Sequence, residues 1–249
     1  LALANFGGEN GDPEVPENRY SLGQVLASRA HSYFMLTQLF ANDYDPNAEI
    51  LPLYRFANPL GQGKALTSEI YEVMENDLNR AIELLDGFNR PSKAQINQSV
   101  AKGILAYVIA STRTRWDEVA ALSDDVLTES GAVLMPSNNS TFGALGGFNN
   151  VANPSWLWGV DLNENTGVGL LSWWGQVDFF SYSYAAVGDT KAMDAGLYES
   201  MRADDIRRNQ FLDVPGLNYL QPLNKQFDES RVEFGTNTLT FSDYHYMRY

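Results

Sequence analysis

The sequence lacks cysteine altogether. Disulfide frameworks, thiolate zinc sites, iron–sulfur clusters and cysteine nucleophiles are excluded together for these residues. Histidine is nearly as scarce: His31 and His245 are too few for a poly-histidine metal site. Positive charge is also short, with 17 Lys and Arg against 31 Asp and Glu and a formal net charge of −14. A surface that tracks phosphates needs clustered Lys and Arg, so neither nucleic acid nor an anionic membrane is an expected partner. No apolar run approaches the ~18 residues needed to span a bilayer. There is no Gly-x-Ser-x-Gly turn for a serine nucleophile and no glycine-rich phosphate loop. Asp43-Tyr44-Asp45-Pro46-Asn47 has the acid spacing of a calcium loop, but Ala48 and Tyr54 stand where the turn glycine and the bidentate glutamate belong. Asp161, Asn163 and Asn165 fail in the same way, with Thr166 and Ser172 at those positions. No metal and no cofactor is expected.

What is present is apolar mass and aromatic rings. The 249 residues are 44% apolar, enough for a core of one domain or a closely packed pair. Aromatics reach 12%, with 13 Tyr, 13 Phe and 5 Trp. The chain opens at Leu1-Ala2-Leu3-Ala4 and closes at Tyr246-Met247-Arg248-Tyr249, which reads as the beginning of an element. Further chain is expected at both ends.

Residues 22–130 speak in helical period. From Ser68 to Leu85, Ile70, Tyr71, Met74, Leu78, Ala81, Ile82 and Leu85 recur at three and four. Thr67 or Ser68 caps the start, Glu69, Glu72 and Glu75 form a solvated face suited to the positive end of the dipole, and Gly87 supplies the left-handed stop. A second helix is predicted from about Gly23 to Phe40, with Leu26, Ala30, Tyr33, Leu36 and Phe40 inward; His31 on it reads as a satisfied core or boundary residue. A third runs from the cap Asn97 to about Arg113 and a fourth from Trp116 to Thr128, with Trp116 read as packing. The short Thr114-Arg115 link makes these two antiparallel neighbours. Residues 131–249 differ in composition, holding twelve of the 20 glycines and four of the five tryptophans. Alternation in Pro154–Leu162 predicts a short strand with Trp156 and Trp158 in the core. A short helix is expected near Asp194–Ala203, and Asp204, Asp205, Arg207 and Arg208 read as a structural ion-pair knot. The rest reads as long ordered loops, where function concentrates.

The densest chemistry lies in Trp173-Trp174-Gly175-Gln176-Val177-Asp178-Phe179-Phe180-Ser181-Tyr182-Ser183-Tyr184. Sugars present flat C–H faces that stack on aromatic rings, and their hydroxyls need amide and carboxylate partners. Trp173, Trp174, Phe179, Tyr182 and Tyr184 offer the first; Gln176 and Asp178, with nearby Asn163 and Asn165, offer the second. The structural alternative is that these rings pack the loop onto the helices. Carboxylates are plentiful, yet nothing marks two of them as a glycosidase pair.

Several stretches resemble, in order, the SusD/RagB-like surface glycan-binding lipoproteins. Ala27–Phe40 has that family's Arg-Ala followed by Tyr-Phe-x-Leu, and Tyr71–Ala81 its Asp-Leu-x-x-Ala helix. Ala101–Tyr107 is similar to its small-residue helix, Asp204–Arg208 to its Asp-x-Arg element and Asn224–Phe227 to its Lys-aromatic segment. Asp243–Tyr249 is similar to the lead into its last helix pair. Members are longer, with a lipidated cysteine near the N-terminus and further helices after the last segment, so the chain resembles a middle portion. The expectation is a single mostly α SusD-like domain over 1–249: TPR-like stacked helical hairpins with a loop-rich aromatic face and a few short strands. The resemblance implies non-catalytic glycan binding at the bacterial outer membrane, a lipid anchor outside this chain, and a TonB-dependent transporter as partner. Alternatives are a helical glycoside hydrolase and a helical-repeat scaffold that binds peptide.

Overall fold

In a computed structural model, the residues described are 3–56, 60–134, 151–160 and 195–205, together with the two-residue strands at 211–212, 221–222, 233–234 and 237–238. The chain divides into two compact units, Leu1–Val133 with Leu157–Gly159, and Leu134–Trp156 with Val160–Tyr249. In the second unit the described elements are small. Helix α5 (Ala195–Ser200) stands where a short helix is predicted and ends sooner, and antiparallel pairs join Phe211–Leu212 to Gln221–Pro222 and Glu233–Phe234 to Asn237–Thr238. After α5, Arg202 and Asp204 form an exposed two-point pair; Arg207 and Arg208 of the expected knot lie outside the described residues.

The first unit is a helical stack. Helix α1 (Pro16–Phe40) begins several residues before the predicted start, because Pro16 fixes a helical φ in the first turn, where its missing N–H costs nothing. Gly23 is therefore interior. A Cβ there would meet Leu85 Cγ at 2.8 Å, so glycine is what lets α1 approach the end of α2. The buried stripe runs through Leu22, Leu26, Ala30, Tyr33 and Thr37, whereas Leu36 and Phe40, predicted inward, are 38% and 66% exposed. A short antiparallel hairpin follows, β1 (Glu49–Pro52) with β2 (Lys64–Leu66), and puts Leu51 into the core.

Helix α2 (Thr67–Leu84) buries Ile70, Tyr71, Met74, Leu78 and Ala81 as its period requires. Its start is not capped by Thr67 or Ser68. The Glu69 carboxylate accepts from the Leu66 N–H at 2.9 Å, while the Thr67 hydroxyl donates to the Ala48 carbonyl and ties the helix to the hairpin. Gly87 makes the left-handed stop at φ +73°. Helix α3 (Gln98–Ser111) is capped as expected, Asn97 Oδ1 accepting from the Val100 N–H at 3.1 Å. Helix α4 (Trp116–Glu129) leans Val119 and Leu122 on the core without burying any residue completely.

Successive helices run antiparallel. Gly23 of α1 faces the end of α2, the Tyr71 hydroxyl of α2 meets Ser111 at the end of α3, and Lys102 of α3 pairs with Asp125 and Glu129 at the end of α4. This is the expected TPR-like stack of helical hairpins.

One polar contact is embedded in it. Arg29 donates to both Asp77 carboxylate oxygens, Nε at 2.7 Å and Nη2 at 2.6 Å, with side chains only 12% and 5% exposed. Nη2 also reaches Glu9 at 2.9 Å and Nη1 the Arg55 carbonyl, while Arg55 pairs with Glu9 at 3.1 Å. Burial raises the Asp77 carboxyl above its ordinary value, only partly offset by Arg29. The Arg29 guanidinium, though burial disfavours its charge, is held above its own ordinary value by Asp77 and Glu9. Partial burial also opposes ionisation of Glu9, but Arg29 and Arg55 outweigh it and hold its carboxyl below 4.5.

Removing one partner strands the other. Asp77→Ala is expected to lower the unfolding free energy by about 3–5 kcal/mol in denaturant titration, whereas Arg29→Met with Asp77→Leu costs far less, because an apolar pair has no desolvation to recover. Glu9 gives a pH signature. With its folded value depressed, its contribution is complete above 4.5 and fades as pH falls through the folded value. The stability gap between the parent and Glu9→Gln should close in that acid window; a gap independent of pH would show that Glu9 does not act through its charge.

Candidate functional site

The residues that carry the sugar-binding expectation, Trp173, Trp174, Gln176, Asp178, Phe179, Tyr182 and Tyr184, lie outside the described residues, as do Asn163 and Asn165. The described stretch just before them, 151–160, is not the strand its alternation predicts. The Asn153 side chain accepts from both the N–H and the hydroxyl of Ser155, at 2.9 and 2.6 Å, and its carbonyl accepts from the Trp156 N–H. A side chain that captures nearby backbone donors folds them into a turn and competes with strand pairing.

After that turn, Leu157–Gly159 belongs to the helical unit. Arg90 donates to the Leu157 carbonyl at 2.6 Å, the Trp158 indole to the Ala94 carbonyl at 3.1 Å, and the Gly159 N–H to the Lys93 carbonyl at 3.2 Å. Leu157 rests against Gly103 of α3, and the Trp158 ring meets His31 edge-on with centroids 4.9 Å apart. Trp158 thus packs on the helical core as expected, by a docked segment rather than by a strand. Burial pushes the His31 imidazole below its ordinary value of 6.5, so it is neutral at physiological pH and suited to an aromatic contact.

A concavity opens at one end of the stack, where the ends of α1 and α3 meet the starts of α2 and α4. Its volume is about 320 Å3. Trp116, read from sequence as packing, stands at its rim 56% exposed. It stands at the first position of α4, and the Val119 and Leu122 that lean on the core come one turn and more further along the helix. Asp43 and Arg113 pair across the mouth at 3.1 Å, and Tyr44 meets Tyr71 edge-on. Asp43 also accepts from the Tyr44 N–H and Asp45 from the Asn47 N–H, so the carboxylates of this failed calcium loop are used locally. Among the described residues no cluster of three or more His, Asp or Glu is placed to hold a metal, and no helix is long and apolar enough to cross a membrane.

No family model and no curated relative matches the chain. Solved structures do. A SusD-like carbohydrate binding protein from Bacteroides vulgatus superposes with a TM-score of 0.67 at 22% identity, over 93% of this chain and 50% of its own. A SusD superfamily protein from the same organism gives 0.66 at 16% identity, over 89% and 51%. One from Bacteroides fragilis gives 0.51 at 14%, over 88% and 50%. The fold is that of the SusD-like proteins. The chain spans about half the length of these three solved structures.

The His31–Trp158 contact has a pH signature. A histidine whose folded value is depressed favours folding while neutral, so stability is lost as pH falls from 6.5 through the folded value. His31→Phe, which keeps a ring against Trp158, is expected to remove that component from thermal melts recorded across the window. Parallel pH profiles for the two proteins would mean that the contact does not sense protonation.

Proposed function

We propose that this chain is part of a SusD/RagB-type surface protein that binds a polysaccharide or oligosaccharide without cleaving it. The observation that carries this is the superposition of nearly the whole chain on a protein described as a SusD-like carbohydrate binding protein. The composition of residues 173–184 supports it independently, since stacking rings and hydrogen-bonding amides are interleaved in one short segment. In this reading Trp173, Trp174, Phe179, Tyr182 and Tyr184 stack on sugar faces, and Gln176 and Asp178 hydrogen-bond hydroxyls. The motif resemblance extends the proposal to an outer-membrane location through a lipid anchor outside this chain, and to delivery of the glycan to a TonB-dependent transporter.

Two measurements test this on the intact protein. If the rings of Trp173, Trp174 and Tyr182 face the ligand, replacing each by Ala changes stability by no more than about 0.5 kcal/mol, as at surface positions. Affinity for the bound glycan then falls by about 1–3 kcal/mol, on the scale of aromatic stacking on nucleic-acid bases, or about five- to a hundredfold in dissociation constant. If the rings are core, the same changes cost about 3–5 kcal/mol of stability and binding is lost only through unfolding. Calorimetric titration beside a thermal melt separates the outcomes. Incubation with the bound polysaccharide is expected to release no reducing ends; release that scales with protein concentration and survives repurification would replace this reading with the helical hydrolase.

A further inference from the structure

We propose that the concavity at the end of the helical stack is a second carbohydrate subsite, one that takes an uncharged pyranose unit. It rests on the glycan-binding reading above and assigns part of that binding to the helical unit.

Four features argue for this ligand. The first is the exposed Trp116 ring, whose indole N–H has no partner among the described residues. An exposed large ring beside a cleft offers a stacking face and one free donor. The second is spare hydrogen-bonding capacity. Among the described residues Asn42 has no side-chain hydrogen-bond partner, and Gln38 makes one long contact, 3.4 Å, to the Thr37 hydroxyl. Both amides line the cleft and carry donor and acceptor together, as a sugar hydroxyl requires. The third is charge balance. Asp43 and Arg113 cancel each other across the mouth, and neither side chain is buried, so both retain donors or acceptors for a ligand. An anion would have to compete with Asp43 for the guanidinium, and a cation with Arg113 for the carboxylate; a neutral polyol competes with neither. The fourth is size. About 320 Å3 falls at the lower end of ligand pockets and suits a single ring better than a folded peptide.

The turn between α3 and α4 explains how the rim is held. Arg113 and Arg115 both sit in the left-handed region, at φ +57° and +53°, which costs non-glycine residues about 1 kcal/mol or more each. Arg115 anchors the turn by donating to both oxygens of Glu75, at 2.9 and 2.6 Å. With that end fixed, Arg113 reaches Asp43 and Trp116 begins α4 at the mouth. Ser111 donates to the Val108 carbonyl, so it accepts from the Tyr71 hydroxyl, and the floor is already satisfied. The unsatisfied groups are on the rim, where a ligand would meet them.

The test follows the indole signals of the intact, 15N-labelled protein during titration with free D-glucose, D-mannose, D-galactose and D-glucuronate. At least one neutral hexose is expected to shift the Trp116 indole saturably. Trp116→Ala and Asn42→Ala should each weaken that hexose about tenfold or more without moving the melting temperature, and glucuronate should bind poorly. Asp43→Asn leaves Arg113 uncompensated and is expected to reverse the preference toward glucuronate, a change that a purely structural role would not produce. Shifts at Trp173 or Trp174 but none at Trp116 would overturn the subsite and leave the wider glycan reading standing. No response at any tryptophan, together with no retention of polysaccharide, would overturn both. Saturable binding at Trp116 of an apolar tripeptide in preference to every hexose would reassign the cleft to peptide.

Discussion

A guanidinium held at two points by a carboxylate leaves little freedom to the backbones that carry the two groups. Arg29 and Asp77 impose that constraint on α1 and α2, and the remaining donors of Arg29 bring in Glu9 and the Arg55 carbonyl. Four stretches of chain are thereby fixed relative to one another within the helical unit. Burial works against both charges, so the pair adds less net stability than its short distances suggest. Its stronger effect is on geometry. Leu22, Leu26, Ile70, Met74 and Leu78 could slide past one another at modest cost, since apolar packing tolerates exchange of partners, but a two-point ion pair has one register.

The same principle recurs at smaller scale. Polar groups determine where segments without regular structure go. Asn153 folds its own neighbourhood into a turn, Arg90 and the backbone around Lys93 capture Leu157–Gly159, and Glu75 holds a turn whose backbone is unfavourable for arginine. Apolar periodicity builds the helices, and directional bonds place what lies between them.

That division explains which parts of the fold were legible in the sequence. The three- and four-residue recurrence of Ile70, Met74, Leu78 and Ala81 specifies α2 almost to the residue, and Asn97 specifies the start of α3, because these signals are local. The Arg-Ala and Asp-Leu-x-x-Ala motifs were visible separately. That Arg29 and Asp77 belong to one contact was not, for they are 48 residues apart and helical period carries no information about partners at that range. Leu36 and Phe40 satisfy the inward pattern of α1 yet are exposed, since periodicity marks an apolar face without showing how far a neighbour covers it. The Trp156–Trp158 alternation misled because side-chain capture at Asn153 outweighed a strand signal only a few residues long. Of the site, the chemistry of residues 173–184 was legible as residue types, whereas the exposed Trp116 was not, because helix-start residues obey the dipole and the cap more than the core.

The antiparallel stack also fixes an order of events. Each helix packs on the one made just before it, α1 with α2, α2 with α3 and α3 with α4. Leu157–Gly159 comes later in the chain than all four helices, and its bonds reach back to Arg90 and Ala94 across 67 and 64 residues. On a ribosome, where chain emerges from the N-terminus, all four helices are made before Trp158 leaves the tunnel. Until then His31 and the Ala94 carbonyl lack the ring contact and the hydrogen bond that Trp158 supplies. In synthesis order, the seam around His31 is therefore completed after the four helices themselves have been made.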